Sequence, residues 1–518
     1  MTSSRHQVVR GSMVVGFFSL LGSLTGILVD TSIAAKLGLS KSSDTFYVAF
    51  TVPYIITSLI SATGQFSLVP FFSTLDAQHS ERELWRGFSY AVNIVFLGSS
   101  AIAVLGAALA FWVTKAIAPG FTNPQITLAS ELAQWLFLII IPAGLAETFR
   151  SFLFSQRRFA VPSSAGLIRN AAVIVCILLT FDRYGIYSIV IGYLVGHLLQ
   201  LLVLGGQTLA SFRFRYSLTL VGTGEAVRKL HGAGAAQLGG AAGWQALLIV
   251  ERIIASFLPA GSLTALNYGL KIIATMAELL AGSVGTASLP VLSRAFAQHA
   301  VDEERRVFQH TLEIGMVLVS PVMIFCLILP SPIIRLFFQH GNFTAEATAQ
   351  MSTVFFYYCL SLLLYACVRI LTFYLFARQE AEAYLRLSAL QYGLNVAFDL
   401  LYVGVLHLGG IGIPLGLVTS LALTVGMALE RNLAGFRQAF DRSLAAFIGK
   451  AAAGGALTAL VVWAMRAWVR TPATTAQNFA YLVVLCGVGS LVFFAVLAGL
   501  GAVRLRELAA LWERPEDV

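Results

Sequence analysis

Long apolar runs separated by short polar segments make up almost the whole chain. About 20 consecutive apolar residues are enough for a helix to cross the hydrocarbon core of a bilayer, and only helices and closed barrels satisfy their backbone there. The runs predict fourteen spans, at residues 12–37, 44–75, 88–114, 128–154, 162–181, 185–208, 228–257, 263–293, 308–333, 347–377, 383–404, 409–430, 446–468 and 478–503. The chain is therefore expected to be an all-α polytopic membrane protein with about fourteen transmembrane helices.

Composition agrees with this pattern. Of the 518 residues, 58% are hydrophobic and only 11% are charged, against about 45–50% and about 25% in soluble domains. These values exclude a soluble enzyme. The five cysteines lie in apolar runs without CxxC spacing, so we interpret them as small hydrophobic residues and predict no metal site and no disulfide. They are Cys176, Cys326, Cys359, Cys367 and Cys486.

The basic residues are distributed unevenly between alternate inter-span segments. With the N-terminus placed in the cytoplasm, the segments on that side hold roughly three times as many Lys and Arg residues as the outer segments. The positive-inside rule then places both termini in the cytoplasm. The net charge of +9 is explained as a topology signal of a multi-pass bacterial inner-membrane protein, and no nucleic-acid partner is predicted.

An internal repeat runs through the first 430 residues. Short segments recur 220 to 222 residues apart, and near-constant spacing over such a distance indicates a duplication. The matched pairs include Ile33-Ala34-Ala35 with Ile254-Ala255-Ser256, Leu68-Val69-Pro70 with Ser288-Leu289-Pro290, Phe121-Thr122 with Phe343-Thr344, and Leu153-Phe154 with Leu375-Phe376. We predict two pseudo-symmetric six-helix lobes and two additional helices. The boundaries are 1–210 for the N-lobe, 211–227 for a cytoplasmic amphipathic linker, 228–432 for the C-lobe, and 433–518 for spans 13 and 14 with a cytoplasmic tail.

A parallel duplication of six-span units is typical of transporters that expose a central site alternately to each side. The motifs of ATPases and common hydrolases are absent: the sequence contains no GxxxxGK[ST] loop, no HExxH pair and no GxSxG elbow. We therefore predict a transporter that is not an enzyme, has no catalytic residues and needs no cofactor.

Ionisable residues inside spans are costly to insert and are candidate functional groups by default. The candidate cations are Lys271, Arg252, Arg150 and Arg369, and the candidate carboxylates are Asp30, Asp44, Glu251, Glu147 and Glu278. Glu147 and Arg150 lie one helical turn apart and are expected to form an ion pair. Asp44 and Arg169 lie near predicted span ends, where a charged side chain is expected to reach the interface.

Several segments are similar to those of a known family. The stretch 251–262 resembles the junction of spans seven and eight in the MurJ/MviN family, and further matching segments follow in the same order from about residue 12 to 430. They are Asp44-Thr45-Phe46-Tyr47-Val48-Ala49-Phe50, Ala118-Pro119-Gly120-Phe121, Gly285-Thr286-Ala287-Ser288-Leu289-Pro290 and Gly341-Asn342-Phe343-Thr344. The resemblance implies the fold of the multidrug/oligosaccharidyl-lipid/polysaccharide (MOP) exporter superfamily.

The resemblance also implies a function: a flippase that moves an undecaprenyl-pyrophosphate-linked glycan, typically lipid II, to the outer leaflet by alternating access. Lys271, Arg252, Arg150 and Arg369 would then engage the diphosphate, and the five candidate carboxylates would serve gating or ion coupling. Besides the bilayer, cell-envelope biosynthesis enzymes are the partners that such a role implies.

The chain departs from the family at four positions. Flippases of this family carry cations in the first two spans, whereas the corresponding residues are the uncharged Ser23, Val29, Thr51 and Thr57. This departure keeps a Wzx-like flippase of exopolysaccharide or O-unit precursors open as an alternative. A cation-coupled drug antiporter and a non-transporting envelope scaffold are further alternatives.

Overall fold

The computed structural model describes residues 2–78, 80–212, 216–220, 235–430, 440–468 and 474–502, and these residues are almost entirely helical. Numbered in chain order, the α-helices are α1 (Thr2–Leu37), α2 (Lys41–Thr63), α3 (Val69–Gln78), α4 (Glu81–Ala108), α5 (Ala110–Ile117), α6 (Asn123–Phe137), α7 (Ile140–Ser155), α8 (Ala160–Tyr184), α9 (Tyr187–Ser211), α10 (Ala235–Ala255), α11 (Ser262–Ala277), α12 (Ser283–Ala297), α13 (Val301–Ile328), α14 (Pro330–Phe338), α15 (Ala345–Cys359), α16 (Leu362–Ala377), α17 (Ala381–Asp399), α18 (Gly412–Glu430), α19 (Arg442–Trp468) and α20 (Thr475–Gly499).

Within the described residues, eleven helical stretches are long and apolar enough to cross a membrane. The number rises to twelve when α15 and α16, which are bent by 45° at a short break, count as one span. The remaining two predicted spans, the seventh and eleventh, correspond to α10 and α17. The prediction of an all-α multi-pass membrane protein is confirmed.

The order of elements repeats along the chain, as the sequence repeat predicts. The helix α2 continues through a π-helical turn at Gly64–Leu68 into α3, and α11 continues through a π-helical turn at Glu278–Gly282 into α12. The break between α6 and α7 likewise has its counterpart between α15 and α16. Since π-turns and breaks interrupt the regular hydrogen-bond ladder, they mark places where these long helices bend.

The chain divides into two compact units. Unit 1 comprises Met1–Thr264 and His340–Phe343, and unit 2 comprises Ala265–Gln339 and Thr344–Val518. The helix α10, from the second sequence repeat, thus belongs to unit 1, where it packs against α2. The predicted lobe boundaries at 210, 228 and 432 remain predictions.

In unit 1, α8 packs along both α1 and α9, while α7 packs against α2, α4 and α9. A cluster of aromatic residues fixes the α3, α4 and α7 helices to one another: Phe72, Phe88 and Phe152 are fully buried, with ring centroids 4.6 to 5.7 Å apart. Such aromatic contacts stabilise the fold by more than their buried area alone would give. This cluster makes a rigid base for the charged residues of α7.

In unit 2, α13 packs against α12, α16 and α19, and α17 packs against α18. Asp441 caps the start of α19 by accepting hydrogen bonds from the backbone amides of Ser443 and Leu444, and Arg305 of α13 pairs with it at 3.2 Å. The hydrogen bond from the Leu444 amide, and to a smaller extent the one from the Ser443 hydroxyl, holds the pKa of Asp441 well below its usual range. The carboxylate is therefore charged at neutral pH and stabilises the start of α19.

The predicted linker 211–227 lies largely outside the described residues. After the end of α9, its described part is Tyr216–Leu220, which has no regular secondary structure. This segment lies alongside α4. The amide of Ser217 donates to Ser89 Oγ at 3.1 Å, and Asn93 Nδ2 donates to the carbonyls of Ser217 and Thr219. This part of the linker is thus attached to α4 by its backbone. The predicted cytoplasmic tail after residue 502 also lies outside the described residues.

Candidate transport site

A tight turn between α1 and α2 places the carboxylate of Asp44. Gly38 ends α1 with φ +63°, a left-handed conformation that glycine adopts at little cost. Ser40 then caps α2 through a reciprocal hydrogen-bond pair with Ser43, so that Asp44 lies in the first turn of the helix. A carboxylate in the first turn of a helix is favoured by the helix dipole.

The side chain of Asp44 caps a second helix, α11, from the other sequence repeat. Its Oδ2 accepts a hydrogen bond from the Gly261 amide at 2.6 Å, and its Oδ1 accepts from both the amide and the hydroxyl of Thr264 at 2.9 and 2.6 Å. Asp44 is only 4% exposed. The expectation that Asp44 reaches the interface is therefore wrong, since its oxygens are bound by donors of the protein interior.

Three further predicted residues lie close to this cap. Arg252, half-buried near the end of α10, interacts electrostatically with both Asp44 and the neighbouring buried Glu251. Asp30 of α1 is also buried and accepts a hydrogen bond from Tyr47 Oη at 3.1 Å. Unit 1 thus brings together three of the predicted carboxylates and one predicted cation around the α1–α2 and α10–α11 turns.

Two loops, one containing Gly120 and the other Gly341, bind these turns at positions that correspond in the sequence repeat; we call them the glycine loops. The amide of Gly120 donates to Ser256 Oγ at 3.1 Å, and the amide of Asn342, next to Gly341, donates to the carbonyl of Ala35 at 2.7 Å. In the sequence repeat, Gly120 corresponds to Gly341 and Ala35 to Ser256, each 221 residues apart. A Cβ on either glycine would overlap the carbonyl oxygen that it faces. Each sequence repeat therefore contributes one glycine loop that binds a turn of the other repeat.

Replacing Gly341 with alanine is expected to weaken the contact between its loop and the end of α1. Gly341 has φ +56° and faces the Ala35 carbonyl, so alanine adds about 1–2 kcal/mol of backbone strain as well as a steric clash. Thermal unfolding of the purified protein should show a clearly lowered midpoint. Gly185→Ala is the matched control, because Gly185 has φ +55° but nothing within 4 Å of an added Cβ. Equal losses in both variants would show that the carbonyl contact contributes nothing.

The remaining predicted charges form ion pairs inside each unit. In unit 1, Arg150 pairs with Glu147 on α7, which confirms the predicted pair, and Ser61 Oγ also donates to Glu147 at 3.4 Å. In unit 2, Arg369 binds Glu278 through two hydrogen bonds of 2.9 and 3.1 Å. Lys271 is half-buried on α11 in unit 2. The sequence contained no signal for the Glu278–Arg369 pair, whose members are 91 residues apart.

The four uncharged positions of the first two spans contribute no cation. Val29 and Thr51 are buried, and the hydroxyls of Thr51 and Thr57 donate to the carbonyls of Tyr47 and Tyr54 on their own helix. Ser23 is half-buried. Any positive charge that unit 1 offers to an anion therefore comes from other positions.

One such cation is Arg169, which the sequence analysis placed at a span end. It is the tenth residue of the 25-residue helix α8, roughly 14 Å from the start of the helix at 1.5 Å per residue. Its neighbour Asn170 is buried and donates to Thr25 Oγ1 of α1 at 3.0 Å. The structure thus places Arg169 well inside α8, and the expectation that its side chain reaches the interface stays a prediction.

Comparison with known proteins gives a consistent result. The family model described as "Lipid II flippase MurJ" matches residues 33–484. A relative from Vibrio cholerae, named "Probable lipid II flippase MurJ", is 25% identical over 98% of both chains. A solved structure titled "Lipid II flippase MurJ, inward closed conformation" matches with a TM-score of 0.76 at 18% identity, covering 94% of this chain and 99% of that one.

A multidrug resistance MATE family transporter of the MOP superfamily, solved in an inward-facing conformation, matches with a TM-score of 0.68 at 14% identity. The match covers 81% of this chain and 96% of that one. These structural matches confirm the predicted MOP fold. The family model covers most of the chain, and the chain therefore belongs to the lipid II flippase MurJ family.

Proposed function

We propose that this protein is a lipid II flippase of the bacterial inner membrane. It transfers the undecaprenyl-pyrophosphate-linked precursor of peptidoglycan from the cytoplasmic to the outer leaflet by alternating access, with both termini in the cytoplasm. Membership of the lipid II flippase MurJ family carries this proposal. The protein is a transporter and not an enzyme.

The contacts around Asp44 support a gating role for that residue. Its carboxylate connects the start of α2 to the start of α11, two helices at equivalent places in the two sequence repeats. Alternating access requires that a closed side opens once per cycle. We assign the Asp44 cap and the two glycine loops to the closure of the outer side, which opens when these hydrogen bonds break. Asp30, Glu251, Glu147 and Glu278 are the further carboxylates that we assign to gating or ion coupling.

Capture of the diphosphate requires cations and hydrogen-bond donors. We assign this role to Lys271, Arg252, Arg150 and Arg369, of which Arg150 and Arg369 each carry a carboxylate partner in this structure. Exchange of that partner for a phosphate oxygen would couple substrate capture to local rearrangement. Net direction comes from the membrane potential, an ion gradient or consumption of the product outside, and one charge gains about 2.3 kcal/mol per 100 mV.

A second candidate function is the translocation of another polyprenyl-pyrophosphate-linked glycan, such as an exopolysaccharide or O-unit precursor. The uncharged Ser23, Val29, Thr51 and Thr57 favour this candidate. Its diphosphate and lipid tail are the same, so the two candidates differ only in the sugar that is recognised.

Complementation separates these functions. The chain is expressed in a bacterium whose only lipid II flippase is depleted, and membrane insertion is verified by immunoblot. We expect growth without lysis. Lysis at wild-type membrane levels would contradict lipid II as the substrate and favour the second candidate. Dye efflux in the same cells would indicate a drug antiporter, and rescue that survives neutralisation of Lys271 and Arg252 together would indicate a scaffold.

A further inference from the structure

Arg169 is a charged side chain in the middle of a membrane-spanning helix without an acidic partner. Among the described residues, no carboxylate oxygen lies within 4 Å of its guanidinium, and its Nε and Nη2 both donate to the same Asn170 oxygen at 3.3 Å. The side chain is only half-buried. Since an arginine at this depth costs about 2.5–3.5 kcal/mol on insertion scales, its presence without a carboxylate indicates that it serves a ligand.

A second arginine, on α7, acts on Arg169 through its charge. Arg150 interacts electrostatically with Arg169, and its own side chain is 29% exposed. Although Arg150 pairs with Glu147, its buried Nε has no hydrogen-bond acceptor. The two arginines and the one glutamate thus leave a net positive charge, and among the described residues the Nε–H of Arg150 has no acceptor.

The surroundings of Arg169 are aromatic and polar. Tyr54 of α2 and Tyr193 of α9 both interact electrostatically with its guanidinium, and Phe50 lies between their rings, with centroids 5.6 and 4.5 Å away. Tyr54 is 48% exposed. The cluster is therefore accessible on the side of Tyr54.

The orientation of Arg169 is fixed by its neighbours. Asn170, which accepts both hydrogen bonds from Arg169, also donates to Gly22 O and Thr25 Oγ1 of α1 at 3.3 and 3.0 Å. On the other side, α9 approaches Arg169 closely at Gly196. A Cβ added to Gly196 would lie 2.8 Å from the Arg169 carbonyl oxygen and 3.1 Å from its Cγ. A guanidinium held in this way is pre-organised for planar recognition of a phosphate group.

We propose that Arg169, together with Arg150, binds the diphosphate of the polyprenyl-linked substrate. This inference rests on the proposed function and adds to it a binding residue that lies outside the first two spans. The two guanidiniums match the two phosphate groups in number and in sign of charge, and arginine binds phosphate oxygens bidentately. Positive charge that is missing at Ser23, Thr51 and Thr57 is thus supplied from α7 and α8.

Binding of undecaprenyl pyrophosphate to the full-length protein in phosphatidylcholine nanodiscs tests this proposal. We expect Arg169→Gln to weaken binding at least about tenfold, because charge-assisted hydrogen bonds are lost. Arg169→Lys should bind with intermediate affinity, since it keeps the charge but not the planar fork. Arg183→Gln is the matched control: Arg183 belongs to the same helix but is exposed and lies over Tyr184, so its loss should leave binding unchanged.

The outcomes are distinguishable. If the wild type binds and Arg169→Gln binds equally well, the assignment of Arg169 is overturned and the proposed function stands. If the wild type binds neither undecaprenyl pyrophosphate nor lipid II, both are overturned. Competition by phosphatidylglycerol or inorganic pyrophosphate at equal concentration would assign the site to anionic lipids or free phosphates instead. A lowered unfolding temperature with unchanged affinity would show a structural role and would also overturn the proposal.

Discussion

Replacing Asp44 with alanine is expected to abolish complementation while the protein still inserts into the membrane. The variant removes three hydrogen bonds to a buried carboxylate, from the Gly261 amide and from both the amide and the hydroxyl of Thr264. Each charge-assisted bond contributes about 1.5–3 kcal/mol, so the closed arrangement should become less populated by roughly two orders of magnitude or more.

Thiol labelling measures this shift directly. A Ser262→Cys reporter next to the cap is buried in the wild type and should react much faster with a membrane-impermeant maleimide when Asp44 is alanine. Asp182→Asn is the control, because Asp182 is 89% exposed and forms an exposed ion pair with Lys36 at 3.1 Å. Exposed pairs contribute about 1 kcal/mol or less. Wild-type labelling and growth of the Asp44 variant would contradict the gating role.

Replacing Arg150 alone with glutamine is expected to destabilise the folded protein by about 3–5 kcal/mol. The change leaves the Glu147 side chain, which is 7% exposed, with a long hydrogen bond from Ser61 as its main support. The double variant Glu147→Gln with Arg150→Gln removes both charges and should unfold within about 1 kcal/mol of the wild type, since the unpaired charge is gone. Denaturant unfolding in detergent measures both values.

An exposed pair provides the control for this cycle. Arg386 and Glu382 are 75% and 79% exposed, so Arg386→Gln should change stability by less than about 1 kcal/mol. A double variant as unstable as Arg150→Gln alone would contradict the account, because it would assign the loss to packing and not to charge. The folded double variant also lacks one of the two arginines of the proposed diphosphate site and should bind the substrate more weakly.

Local patterns in the sequence were sufficient to predict much of the fold. Apolar run lengths predict the helices, and the spacing of 220 to 222 residues predicts that elements recur, as the two π-turns at Gly64–Leu68 and Glu278–Gly282 do. The Glu147–Arg150 pair was predictable because its members are one helical turn apart. These features depend on residues that are near in sequence or related by the duplication.

The site was less predictable because its contacts join distant residues. Asp44 meets Thr264 across 220 positions, and no spacing rule indicates that a span-end carboxylate caps another helix. The surroundings of Arg169 on α8, which extends from Ala160 to Tyr184, were likewise not predictable from the span boundaries. Its relation to Arg150 depends on how α7, α8 and α9 pack, which the apolar pattern of each helix does not specify.

Reconstituted flipping is the most direct test of lipid II translocation. Proteoliposomes contain the purified protein and lipid II with a fluorescent label that dithionite bleaches only in the outer leaflet. With wild-type protein, we predict that nearly all of the fluorescence is lost over time, whereas protein-free vesicles and the Asp44→Ala variant retain the inner-leaflet half. If the wild type also retained that half, lipid II translocation by this protein would be contradicted.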